Sequence, residues 1–164
     1  MAAPIDQNCR SLLRRAFTMR AAAYAYMFDV LRERFGTDVA LEIGMEATER
    51  MGREMGKAFA GFGPADLKGL KEAFLSGIID GEEMFKPEVK RADDKELSIH
   101  FHDCPLQRAW REMGRSDTDV ELLCKMAGKI DHGLFTGAGF TFAGETWKPG
   151  DEGCCRLRIL PGQS

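Results

Sequence analysis

The sequence predicts an α+β fold: N-terminal helices packed on a four-stranded antiparallel sheet, with two helices inserted between strands. Apolar residues recur every three or four positions in three successive stretches up to Gly81. Beyond Gly81, four shorter stretches alternate in hydropathy and are joined by turn-rich segments. Between the second and third of these the helical rhythm returns twice, from Leu106 to Met113 and again through Cys124.

The length of 164 residues suits one domain, with a helical part over 1–81 and a sheet-plus-helix part over 82–164 that carries the candidate chemistry. A net charge of -3 lacks the basic footprint of a nucleic-acid binder. No apolar run approaches the roughly 20 residues that span a bilayer. Arg10, Arg14, Arg15 and Arg20 make the N-terminal stretch basic. Asp6 interrupts it, however, and no secretory apolar core follows, so an amphipathic helix is expected rather than a targeting segment. The 5 cysteines have no disulfide-scaffold spacing, which points to reduced thiols in a cytoplasm.

In the first helix, from about Ile5 to Arg34, Leu13, Phe17, Ala21, Tyr24, Phe28 and Leu31 form one stripe, and Gly36 closes it. The cluster of Tyr24, Tyr26, Met27 and Phe28 makes pairing with a second copy, a homodimer, an expectation. Thr37 is read as the N-cap of the second helix, with Asp38 favoured in its first turn by the helix dipole. A row of Ile43, Ala47, Met51, Met55 and Phe59 is expected to be its buried face. Its methionines suit either core filling or an adaptable pocket wall. Glu42, Glu46 and Glu49 with Arg50 and Arg53 read as a solvated face. Pro64 is placed at the first position of a third helix, whose stripe is Leu67, Leu70, Phe74 and Ile78.

Strands are expected over Met84–Lys90 and Glu96–His102, joined by the polar loop RADDK. Two more are expected over Phe140–Trp147 and Cys154–Leu160, joined by Lys148-Pro149-Gly150-Asp151. Cys104 then falls at the start of the first inserted helix, because Pro105 fits the first helical position. Free amide groups and the helix dipole there favour a thiolate, which makes Cys104 a candidate nucleophile.

Residues two apart on a strand share a face, so His100, His102 and Cys104 line up if the strand stays extended. Two imidazoles and a thiolate suit zinc or another first-row metal such as iron. The other reading leaves both histidines on a solvated face. Cys124 and Asp131 are seven positions apart on the last helix, roughly 10 Å along its axis. That separation suits two walls of a pocket rather than one metal. Trp110 on the Cys104 helix is taken as a further wall. Asp131 and His132 are candidates for an acid/base pair at the helix end. Cys154 and Cys155 should face opposite sides of their strand, and Cys154, straight after the turn, is the one expected at the site.

The segments CPLQRAW, LLC with its downstream aspartate, TFAGETWKPGD and CCRLRI together resemble the L-2-amino-thiazoline-4-carboxylic acid hydrolase-like family, over roughly Ile99 to Ile159. The resemblance implies hydrolytic opening of a C–N or C–S bond in a small cyclic amidine-like substrate. Cys104 would be nucleophile or metal ligand, Asp131 would hold the amidinium, and His102 or His132 would move protons. Cys124, Cys154 and Trp110 would contact the substrate. Helices, an antiparallel sheet and cysteines around an apolar pocket also resemble sensor domains of the vinyl-reductase type. That resemblance implies a small-molecule or metal-binding module without turnover.

Overall fold

The computed structural model describes residues 5–163. Helix α1, Gln7–Phe35, is capped by the Asp6 carboxylate, which accepts from the Cys9 amide, and it ends where Gly36 turns to φ 85°. Its inward stripe is Ala21, Ala25 and Phe28, with Phe17, Tyr24 and Leu31 packed beside them. Of the cluster read as a dimer surface, Phe28 lies in the core, and Tyr26 and Met27 face solvent.

Helix α2, Thr37–Gly56, follows at once; Gly36 rather than Thr37 is its N-cap. Its buried face is not the expected apolar row. Ile43, Met51 and Met55 are exposed, and the buried residues are Ala40, Gly44, Thr48, Gly52 and Gly56. The cause is a second helix lying directly on the small residues. A Cβ at Gly52 would strike the Ile130 carbonyl, and one at Gly133 would strike the Glu49 carbonyl. Thr48 also hydrogen-bonds through its hydroxyl to the Met126 carbonyl across this seam. At such a distance no large side chain fits between the two backbones.

A 3-10 turn over Lys57–Phe62 leads to α3, Leu67–Gly77, which Asp66 caps by accepting from the Gly69 amide. Pro64 lies ahead of that cap rather than at the first helical position. Leu67, Leu70 and Phe74 are buried as the stripe requires. Gly81 opens a one-turn helix α4, Gly81–Met84, instead of ending one.

Four antiparallel strands form the sheet: β1 Pro87–Ala92, β2 Leu97–Phe101, β3 Thr141–Glu145 and β4 Arg156–Leu160. Their spatial order is β1-β2-β4-β3. Between β2 and β3 the chain forms α5, Pro105–Glu112, and the long α6, Asp117–Gly137. The architecture is therefore the α+β arrangement read from the sequence.

Leu97, Ile99 and Phe101 of β2 and Leu157 and Ile159 of β4 point to the helices, where Leu134 and Phe135 of α6 meet them. A second cluster, centred on Trp110, Phe28 and Leu123, joins α1, α5 and α6. Each large buried side chain of this kind stabilises the fold by about 1.5–3 kcal/mol. The candidate site opens between the two clusters. Among the described residues, no helix is long and apolar enough to cross a membrane.

Candidate functional site

The chain leaves β2 at Phe101 and is still extended at Cys104 (φ −148°, ψ 120°), which is the N-cap of α5 with Pro105 next. The Asp103 carboxylate accepts from the Cys104 amide at 2.8 Å and so fixes the entry into the helix. Cys104 then lines a cavity of about 190 Å³. Arg20 of α1, Asp131 and Cys124 of α6, and Cys154 and Cys155 line the same cavity. Asp103 also reaches the wall, and the rest is largely hydrocarbon, including Phe17, Phe74, Phe101 and Trp110. The Trp110 indole N–H is already used, donating to the Ala21 carbonyl at 2.8 Å.

Cys154 and Cys155 both reach the cavity, against the expectation that only one of them could. They lie in a bend ahead of β4, not on it, so strand alternation does not separate them. Their Sγ atoms are 3.5 Å apart. The Cys154 amide is held by the Phe101 carbonyl at 2.8 Å, which ties this bend to the end of β2.

The three innermost thiols differ electrostatically. The adjoining Cys154 thiol holds Cys104 below the usual thiol range. The Gln107 and Leu106 amides at the start of α5 act in the same direction, against burial and the field of Asp131. Cys154 is driven up by the same neighbour and by Cys155 and burial, and burial drives Cys124 up. Of the three, Cys104 is therefore the thiol that most favours the thiolate form, and Cys124 and Cys154 favour the protonated one.

Burial pushes the Asp131 carboxyl up to about 7, with the Arg20 guanidinium acting the other way. Among the described residues Asp131 makes no ion pair, so near neutral pH it can hold or give up a proton. Arg20 donates through Nε to the Tyr24 hydroxyl at 3.2 Å and stacks on that ring, which holds the guanidinium at the cavity wall.

Among the described residues no hydrogen bond joins Asp131 to His132. The helix continues to Gly137, so consecutive residues point about 100° apart around its axis. His132 opens instead on an adjoining hollow of about 390 Å³, which also has Asp131, Gly128 and Cys155 in its wall. Its Nδ1 is 3.5 Å from Glu49 Oε1. His100 and His102 lie away from the Cys104 cavity. Because Leu97, Ile99 and Phe101 face inward, His100 faces outward. Among the described residues, the group it joins is Glu88, His100 and His102, and Cys104 is outside that group.

Arg20, Cys155 and Glu88 were missed in the sequence. Arg20 sits on the α1 stripe one position before Ala21, and a cation beside an apolar stripe was the available signal. Glu88 could be found only through the strand register, in which it is the partner of His100.

A family model described as L-2-amino-thiazoline-4-carboxylic acid hydrolase matches residues 16–159. No curated protein matches the chain. The fold is similar to that of a trafficking protein particle complex subunit 3 from Naegleria fowleri, in a crystal structure where that protein is covalently bound to palmitic acid. The TM-score is 0.59 at 12% identity, over 90% of this chain and 96% of the other.

Proposed function

The chain belongs to the L-2-amino-thiazoline-4-carboxylic acid hydrolase family, and from that membership we propose that it hydrolyses a small cyclic amidine carrying a carboxylate, with Cys104 as nucleophile. The observation that carries the reading is one cavity lined by a thiolate-favoured cysteine, a carboxyl near neutrality and an arginine. These three groups match the three features of such a substrate: an electrophilic carbon, a basic nitrogen and a carboxylate.

In this reaction Arg20 pairs with the substrate carboxylate. Protonated Asp131 gives its proton to the ring amidine, and the resulting amidinium is the better electrophile. The Cys104 thiolate adds to the amidinium carbon, and the C=N electron pair moves to nitrogen. The tetrahedral adduct collapses with loss of the ring sulfur as a thiolate, which opens the C–S bond and leaves the carbon bonded to Cys104. Water then adds to that carbon, and Asp131 takes its proton. Collapse expels the Cys104 thiolate, and the remaining hydroxyl proton passes to the departed heteroatom. His132, which shares the adjoining hollow with Asp131, would exchange protons between that carboxyl and solvent.

The test is incubation of the purified protein with 2-amino-thiazoline-4-carboxylate, with product followed by mass spectrometry. Cys104→Ala should abolish turnover while circular dichroism stays unchanged. Turnover retained in that variant removes Cys104 from the mechanism.

The largely hydrocarbon wall favours one other reading, a domain that holds a small apolar ligand without turnover. The likeness to a trafficking subunit that carries palmitic acid supports it at the level of fold. Under that reading, mass spectrometry of the native protein finds retained ligand, and no thiazoline is consumed.

A further inference from the structure

We propose that Glu88, His100 and His102 form a binding site for one divalent transition-metal ion on the outer face of the sheet, separate from the Cys104 cavity. The strand pattern brings the three together. Glu88 and His100 are directly opposed across β1 and β2, so their side chains leave the sheet on the same side. That side is the outer one, since Leu97, Ile99 and Phe101 occupy the inner. His102 follows two residues after His100 and returns to the same face.

The side chains converge closely. One ligand atom from each of the three lies within 4.8 Å of the others. Glu88 Oε2 is 2.7 Å from His102 Nε2, and the two imidazole rings are 4.2 Å apart at their centroids. Metal–nitrogen bonds of about 2.0–2.1 Å put ligand atoms of one sphere roughly 3–3.5 Å from each other. Small side-chain rotations would close this cluster on an ion with the backbone left in place.

The donor set decides the kind of ion. Two imidazoles and one carboxylate suit zinc, cobalt, nickel or copper, and are poor for calcium or magnesium, which take oxygen. Three protein ligands leave a coordination position for water.

The surroundings are consistent with an ion here. The Nε2 atom of His100 is buried without a hydrogen-bond partner, and a Cβ at Gly153 would collide with it, so the ring is seated against that bend. Lys90 occupies the other Glu88 oxygen at 2.7 Å and leaves Oε2 as the single carboxylate ligand. Lys90 and Arg156, the β4 partner of His100, are the cations an incoming ion must tolerate.

Tag-free protein is titrated with cobalt(II) chloride and followed by visible absorption, and then with zinc chloride by calorimetry. One equivalent should bind with a d–d spectrum that lacks a thiolate charge-transfer band. Glu88→Gln and His102→Ala, both at exposed positions, should each weaken binding by at least about 10-fold, the loss seen even when a group merely supporting a ligand is removed. Cys104→Ser should leave the affinity unchanged. Absence of binding, unaltered affinity in both sheet variants, or a thiolate band that disappears in Cys104→Ser would each overturn the proposal.

Discussion

Gly52 of α2 rests on the Ile130 carbonyl of α6, with no room between them for a side-chain carbon. The contact fixes where α6 lies, and the next residue, Asp131, lines the Cys104 cavity. Gly133 makes the reciprocal contact with the Glu49 carbonyl, so the seam is locked from both helices. Gly52→Ala should therefore push backbone against backbone and destabilise the protein by about 1–3 kcal/mol, despite the better helix propensity of alanine. Urea unfolding measures this. An unchanged or higher midpoint would mean the two helices separate freely, and the position of Asp131 would then need another cause.

Cys104 should be the thiol that reacts first. Its pKa is lowered by Cys154 and the amides of α5, whereas those of Cys124 and Cys154 are raised. Alkylation depends on the thiolate fraction. The rate at Cys104 should thus reach half its maximum below the ordinary thiol value of about 8.5. Peptide mapping after brief iodoacetamide treatment across a pH series reads both site and profile. Cys9 is exposed and gives the reference within the same molecule.

Asp131 gives a pH dependence of definite sign. Its folded pKa of about 7 lies above the ordinary 3.8, so between these values the folded state holds a proton that the unfolded state has lost. Stability from this group is complete below the lower value and is lost as pH rises through the window to about 7. Asp131→Asn should remove that slope and be the more stable protein above pH 7, by an amount of the order of a few kcal/mol. Denaturation midpoints at several pH values would show it. If the variant and the parent have parallel pH profiles, the Asp131 carboxyl is not protonated in the fold.

Much of this arrangement was legible in the chain. The period of α1 and α3, the two inserted helices, the four strands, and the placement of Cys104 ahead of Pro105 follow from local patterns of hydropathy and capping. The buried face of α2 did not, because hydrophobic periodicity marks large apolar residues. At this seam the small ones are inside, and Ile43, Met51 and Met55 are displaced outward. The series Gly44, Thr48, Gly52, Gly56, spaced by four, was the signal to read. Cys155 was excluded by assuming a strand where the chain bends. The cluster of Glu88 with the histidines depends on strand register, which involves residues far apart in sequence.

Arg20 separates a hydrolase of carboxylated substrates from a general thiol enzyme. It lines the cavity, held by Tyr24, and its charge acts on Asp131. If it binds the substrate carboxylate equally in ground and transition states, Arg20→Gln should raise KM with little change in kcat. A charge-assisted pair contributes about 1.5–3 kcal/mol, so the rise should be of the order of 10- to 100-fold. A thiazoline without the carboxylate should show no such difference between the two proteins. If Arg20→Gln lowers kcat equally for both substrates, the arginine acts through the Asp131 proton rather than through the carboxylate, because only the proton is common to both reactions.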